Sequence, residues 1–190
     1  MSEDNTPLAD DEQDRRLMGL LAAGDDDALR MLVHRHHGRL VGYLRSEVGS
    51  LATAEELTME VFIRLHRAAG RWRPDAKLST YLIHIARNLV LNEWRRRSRK
   101  PTSALDSAPE PGDLAPESGR RVQELEEAFA RAVVQLPEEQ RTAILLLVQQ
   151  ELAYEEIASI MGSPVSSVKT WIHRARGRLK ELMSDFYGPE

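Results

Sequence analysis

Apolar residues in this chain recur at three- and four-residue intervals, the spacing of one helix face, and almost nowhere alternate as they would in a strand. The pattern predicts an all-α protein. A first helix covers about Asp10 to Ala23 and stops at Gly24. A second runs from about Asp26 to Val48 with Leu29, Leu32, Val33, Leu40, Tyr43 and Leu44 on one side. A third is expected to start at "TAEE", with Thr53 as cap and Glu56 completing a capping box; Leu57, Val61 and Leu65 line its buried face, and Gly70 ends it. The fourth follows the loop "RWRPDAKL", with Ser79 as cap, an apolar stripe of Leu82, Ile85, Ala86 and Leu89, and Pro101 as its limit.

Periodicity then fails over Pro101 to Gly119, which holds Pro101, Pro109, Pro111 and Pro116 among acids and small polar residues. Such a stretch has too little apolar area to pack and reads as an acidic tether. Past it, Val122, Leu125, Phe129 and Val133 mark another amphipathic helix. Pro137 opens the next, "EEQRTAILLLVQQ". A short helix, "YEEIASIM", a turn at Gly162 and a last helix opened by Ser163 and Pro164 complete the chain. The expected architecture is a four-helix N-terminal domain and a C-terminal helix-turn-helix domain, with boundaries at 1–24, 25–100, 101–119 and 120–185.

Composition narrows the function classes. The chain has no cysteine, so disulfides and thiolate metal sites are excluded. Its acidic, polar start is not a secretion signal, and its longest apolar run, Ala143 to Val148, is too short to cross a bilayer. These features predict a cytoplasmic protein without membrane insertion. The net charge of -4 hides segregation: acids crowd Asp10–Asp27, whereas cations crowd Trp94–Lys100 and Lys169–Lys180. The acidic start is a candidate shield for those basic patches.

The stretch "SPVSSVKTWIHRARGRLK" contains no acid at all. On a wheel of about 100° per residue, Val165, Val168, Ile172, Ala175 and Leu179 fall together. Ser166, Lys169, Thr170 and His173 fall opposite, flanked by Arg174 and Arg176, and Trp171 sits at the rim. A solvated polar face would explain the charge alone. The helix-turn-helix context, the Ser-Pro start and the missing acids favour a recognition helix, on which Ser166, Ser167 and Thr170 approach bases and phosphates closely while Lys and Arg reach guanine acceptors. In the fourth helix the buried stripe leaves Tyr81, His84, Arg87, Asn88, Asn92 and Arg95 on other faces, a set suited to unpaired bases. A basic end facing the helix dipole explains Arg95 to Lys100 well, but not the Asn and Tyr placements.

This order of pieces resembles the extracytoplasmic function (ECF) sigma factors, over about Asp25 to Leu182 apart from the tether. "AEELTMEVFIRLHRA" is similar to their polymerase-docking helix, "RWRPDAKLSTYLIHIARNLVLNEWRRR" to their promoter-melting segment, and "LPEEQRTAILLLVQQELAYEEIASIMGSPVSSVKTWIHRARGRLKEL" to their minus-thirty-five domain. The resemblance implies a dissociable promoter-specificity subunit, not an enzyme and without cofactor. Its partners would be core RNA polymerase, through the clamp of the β′ subunit, promoter DNA, and an anti-sigma factor that could hold it at the membrane. By position, the recognition helix would meet the minus-thirty-five element. Arg71, Trp72, Arg73, Lys77, Ser79, Thr80, Tyr81, Arg87, Asn88, Asn92, Arg95 and Arg96 would handle the separated minus-ten strand. Leu57, Met59, Glu60, Phe62 and Ile63 would face polymerase, although Leu57 and Val61 suit a plain core equally. The chain departs from the family at Leu78 and Tyr81, where Phe and Trp are frequent, at Asn92 for Asp, at Met59 for Gln, and at Ala153 for a Ser cap.

Two other readings compete. A dimeric helix-turn-helix regulator explains the C-terminal domain but not the basic melting-like segment. A metal-dependent helical enzyme would draw on His34, His36 and His37, yet no pair of Glu-x-x-His motifs accompanies them; histidines on a solvated face explain the cluster without metal.

Overall fold

The computed structural model describes residues 7–99 and 117–184, with side chains over 11–99 and 124–184. Among the described residues there are eight α-helices, one 3-10 turn and no strand: α1 (Pro7–Ala22), α2 (Asp26–Val48), α3 (Leu51–Ala68), the turn Ala69–Arg71, α4 (Leu78–Arg99), α5 (Glu117–Val133), α6 (Glu138–Val148), α7 (Tyr154–Met161) and α8 (Val165–Leu182). The all-α expectation therefore holds. The chain packs as two compact units, Met1–Leu44 with Ala52–Lys100 and Arg45–Leu51 with Pro101–Glu190. The tether expected at Pro101–Gly119 lies outside the described residues as far as 116, and α5 takes up its last three positions.

In the first unit α1, the first of the four helices expected there, contributes Leu17, Met18 and Leu21 to the same core as Leu32, Leu40 and Leu44 of α2. The α1–α2 junction is explicit in the sequence. Gly24 adopts φ 94, a region that costs most residues but not glycine, and the Asp25 amide closes back on the Leu20 carbonyl at 3.0 Å. Asp25 Oδ1 then accepts the Asp27 amide at 2.9 Å, and Asp26 and Asp27 sit in the first turn of α2, where the helix dipole favours anions.

Three expected caps move. Helix α3 starts at Leu51, so Thr53 lies inside its first turn; the chain re-enters helix directly after Gly49 and Ser50. The helix ends at Ala68 and tightens into the 3-10 turn, with Gly70 in its middle and the Trp72 amide bonded to the Ala68 carbonyl at 3.0 Å. Helix α4 starts at Leu78, so Ser79 also lies inside it. Ile83 and Val90 are buried in α4, while Ile85 is half-buried at the margin of the stripe. Thr58 is admitted to the buried face of α3 because its hydroxyl donates to the Ala54 carbonyl at 2.8 Å.

The second unit centres on α6. Thr142 through Leu146 are all buried, five in succession, so this helix is covered on most sides and packs against both α7 and α8. Each fully buried Leu or Ile there contributes on the order of 1.5–3 kcal/mol. Pro137 stands immediately before α6 as expected, and Leu125 of α5, expected on the apolar face, is exposed instead. Gly162 closes α7 in the left-handed conformation at φ 61, with the Ser163 amide reaching the Ala158 carbonyl at 3.0 Å. Pro164, not Ser163, occupies the cap position of α8; the Ser163 hydroxyl turns back to the Met161 carbonyl at 3.2 Å.

Candidate nucleic-acid interfaces

The stripe predicted for α8 is the stripe found. Val168, Ile172, Ala175 and Leu179 are buried, Val165 and Trp171 are half-buried at the edges, and Ser166, Lys169, Thr170, His173, Arg174 and Arg176 are exposed. Ser167 is half-buried. The Thr170 hydroxyl donates to the Ser166 carbonyl at 2.9 Å. Its proton is thereby committed to the helix, which leaves the oxygen as an acceptor able to receive a base amino group. Of the cations, Arg178 pairs within its own helix, Nη1 donating to Glu181 at 2.8 Å. Ser166 stands in the first turn, where the positive end of the helix favours a phosphate.

In the first unit the loop before α4 forms an open pocket of about 510 Å3, lined by Arg71, Trp72, Arg73, Asp75 and Tyr81 among others. Both rings are half-buried, and Arg71 and Arg73 are exposed. Two aromatic faces between guanidiniums match the chemistry of an unstacked base and its phosphate. Lys77, on the same loop, is exposed and has Asp11 of α1 at 3.7 Å, one contact of the kind expected if the acidic start screens a basic patch. Along α4, Asn88, Asn92, Arg95 and Arg96 are exposed and Arg87 and Ser79 are half-buried. Burial, then the charge of Arg87, pushes the His84 imidazole below its usual 6.5.

Two expected contact residues are turned inward. Thr80 is buried, and its hydroxyl has no hydrogen-bond partner, so it belongs to the underside of α4. Phe62 is buried in the first unit's core. Both follow from tertiary packing that a helix wheel cannot show. The remaining positions proposed for polymerase lie on α3: Met59 is 64% exposed, Ile63 is exposed, and Leu57 and Glu60 are half-buried, Glu60 receiving the Arg64 Nε at 2.8 Å. An exposed Met and Ile one turn apart form an apolar contact surface with a charged border.

Other polar sites were not anticipated. His34 and His37 are exposed, but His36 is buried, which corrects the view of all three as solvated. His36 Nε2 lies 2.9 Å from Asp14 Oδ2, and Arg35 Nε donates to Asp14 Oδ1 at 2.9 Å. Burial would raise the Asp14 carboxyl, but the hydrogen bonds and charges of His36 and Arg35 outweigh it and hold the group below its usual 3.8. The cluster ties α1 to α2. Among the described residues no three metal-capable side chains come together. Glu93, which directly precedes the basic run and is assigned no role from the sequence, is buried and accepts from Arg96 and Arg97. An acid flanked by arginines three and four residues on was the available signal.

Comparison with known proteins accounts for both units. The family described as Sigma-70 region 2 matches residues 32–100, and that described as Sigma-70, region 4 matches residues 126–179. The RNA polymerase sigma-H factor of Pseudomonas aeruginosa is 34% identical over 182 residues, covering 90% of this chain and 94% of its own. The ECF RNA polymerase sigma factor SigM of Mycobacterium tuberculosis is 32% identical over 174 residues, covering 91% and 86%. Among solved structures, the sigma factor RpoE in complex with the anti-sigma factor NepR from Bartonella quintana superposes with a TM-score of 0.70 at 22% identity, covering 82% of this chain and 96% of that one. CnrH in complex with the cytosolic domain of CnrY gives 0.68 at 22% identity, covering 91% and 98%. These two likenesses speak to the fold.

Proposed function

We propose that this chain, which belongs to the ECF RNA polymerase sigma factors, divides promoter recognition between two separate sets of side chains. As a member of that family it directs core RNA polymerase to promoters and initiates transcription. The polymerisation chemistry is the polymerase's, and the chain itself catalyses nothing.

The observation that carries the division is the clean partition of α8, with an apolar stripe inward and Ser166, Lys169, Thr170, His173 and Arg174 outward. We assign this face, with Ser167 and Arg176 at its borders, to the major groove of the minus-thirty-five element. The loop pocket of Arg71, Trp72, Arg73 and Tyr81 is assigned to the minus-ten strand, stacking one base pulled from the duplex. Lys77, Arg87, Asn88, Asn92, Arg95 and Arg96 track that strand's backbone and edges, and Ser79 lies at the border of this surface. Met59, Ile63, Leu57 and Glu60 form the surface for the β′ clamp. Phe62 and Thr80 hold these surfaces from beneath. The boundaries follow: 25–100 with α1 for polymerase and minus-ten work, and 120–185 for the upstream element.

An anti-sigma partner is proposed as well, because the structurally similar sigma factor RpoE was captured in complex with one. The chain is placed in the cytoplasm, where its polymerase works; among the described residues no helix is long and apolar enough to cross a membrane. Reconstitution with core polymerase on a promoter library tests the whole reading. It predicts transcripts starting at promoters that share an upstream and a downstream element. Binding to duplex DNA without any transcript would instead favour a helix-turn-helix repressor.

A further inference from the structure

Arg95, Arg96, Arg97 and Arg99 fall within five positions at the end of α4. Four guanidiniums so close on one helix repel one another and would spread into solvent. One acid sits among them. Glu93 is 7% exposed, and a carboxylate is rarely so buried unless paired. Its Oε2 accepts from Arg96 Nε at 2.7 Å, and its Oε1 accepts from Arg96 Nη2 and Arg97 Nε, each at 2.8 Å. The pair with Arg96 is a two-point fork, which fixes the plane of a guanidinium as well as its position.

Arg96 is nevertheless 70% exposed. A buried anchor thus sets the orientation of a cation that faces solvent. The exposed end of Arg96 lines, with Asn92, Arg95 and Arg99, an open cleft of about 470 Å3. Arg95 Nη1 donates to Asn92 Oδ1 at 3.3 Å across one wall. Three guanidiniums and a carboxamide around a cleft are a donor set for a phosphate diester. The other carboxylate acting on Arg96 is Glu56 of α3. The Arg96 hydrogen bond, acting against burial, holds the Glu93 carboxyl below its ordinary range, so the anchor stays ionised at neutral pH.

We infer that Glu93 is a positioning residue: it fixes Arg96 at the mouth of this cleft so that one backbone phosphate of the promoter is seated there. It also withholds part of the charge of Arg96 and Arg97 from indiscriminate attraction to polyanions. The inference rests on the assignment of α4 to DNA made above. A pre-ordered arginine loses little freedom when the phosphate arrives, whereas a loose one must be ordered at that moment. A phosphate contact carries no sequence information but sets register. Loosening it therefore harms a specific promoter, whose base contacts depend on register, more than it harms random DNA.

Holoenzymes reconstituted with Glu93→Gln, Glu93→Asp and Arg96→Lys chains test this. The affinity for a promoter selected by wild-type holoenzyme and for a scrambled duplex would be measured across a salt series. Both Glu93→Gln and Arg96→Lys lower the ratio of promoter to scrambled affinity about tenfold, and the double variant is no worse than the poorer single. Glu93→Asp, which keeps the charge, recovers part of the ratio. Glu93→Gln alone steepens the logarithmic salt slope on scrambled DNA by about one, because a cation is released to phosphate. Arg96→Lys carries the test if Glu93→Gln does not fold, since position 96 is exposed. An unchanged ratio in Arg96→Lys and in folded Glu93→Gln overturns the inference, and so do equal losses on both DNAs. The assignment of α4 to DNA fails separately, if Arg95→Ala and Arg99→Ala leave both affinities and both salt slopes unchanged.

Discussion

On α8 each buried side chain from Val168 to Leu179 lies on one stripe and the polar candidates lie opposite it. On α4 and its loop the two sets interpenetrate. Thr80 and Glu93 are buried on the same helix as Leu82, Ala86 and Leu89, Trp72 and Tyr81 are half-buried in the pocket they line, and Arg96 is exposed yet anchored from below. The contrast follows from what each surface is proposed to hold. A duplex groove is a regular shape that a rigid helix meets with one face, so fold and recognition separate. An unstacked base needs a pocket, and a pocket has walls that belong to the core. Substitutions on the outer face of α8 therefore change promoter choice at little cost in stability, whereas those around α4 change both together.

The largest effect expected from this contrast is at the pocket. Trp72→Ala with Tyr81→Ala removes both stacking faces, together worth about 1–3 kcal/mol for the one bound base. Open-complex formation falls by roughly one to two orders of magnitude, and the loss persists on a template whose downstream element is already unpaired. A loss that vanished on such a template would break the contrast, because the rings would then serve opening and not capture. Permanganate footprinting separates these outcomes.

A smaller effect is expected where the first unit keeps a buried carboxylate. Asp14→Asn weakens charge-assisted hydrogen bonds to Arg35 and His36 and costs about 1–3 kcal/mol at neutral pH. The sign of the pH dependence follows from a folded-state pKa below 3.8. The Asp14 contribution is fully present above 3.8 and is lost as pH falls through the lower folded value. Wild-type protein therefore loses stability on acidification below that point, and Asp14→Asn loses less. Denaturant unfolding at neutral pH and near pH 3, read by hydrogen exchange in α1 and α2, measures both.

The smallest effect sharpens the contrast from the other unit. Ala153 occupies the cap of α7 without a side-chain acceptor, although its own amide reaches Glu156 Oε2 at 2.9 Å. Ala153→Ser supplies the missing half of the capping box and stabilises the helix by about 1 kcal/mol. It leaves upstream-element binding unchanged, as a fold separable from its recognition face requires. Thermal unfolding and a gel shift with holoenzyme check the two halves of that statement.

Sequence alone discloses α8 almost completely. Its core positions are spaced by three and four without exception, and Gly162 and Pro164 mark its start by backbone chemistry that needs no partner. It discloses α4 only in outline. Asp14 and His36 stand 22 residues apart, and nothing local pairs them. Thr80 and Thr58 sit on buried faces for reasons of packing, and Phe62 is claimed by the core before any partner can use it. The third helix begins earlier than its local signals suggest, at Leu51, two residues before the "TAEE" that marks its expected start. Local rules succeed where an element's two faces are chemically distinct; they falter where burial selects polar groups.

The most direct test of two separable grips uses the double variant Lys169→Ala and Arg174→Ala, assayed as holoenzyme on two templates. One is a duplex promoter with both elements; the other carries only an unpaired downstream element. The account predicts initiation lower by about tenfold or more on the duplex, at roughly 1–3 kcal/mol per lost base contact, and unchanged initiation on the unpaired template. Equal initiation by variant and wild type on the duplex would contradict it.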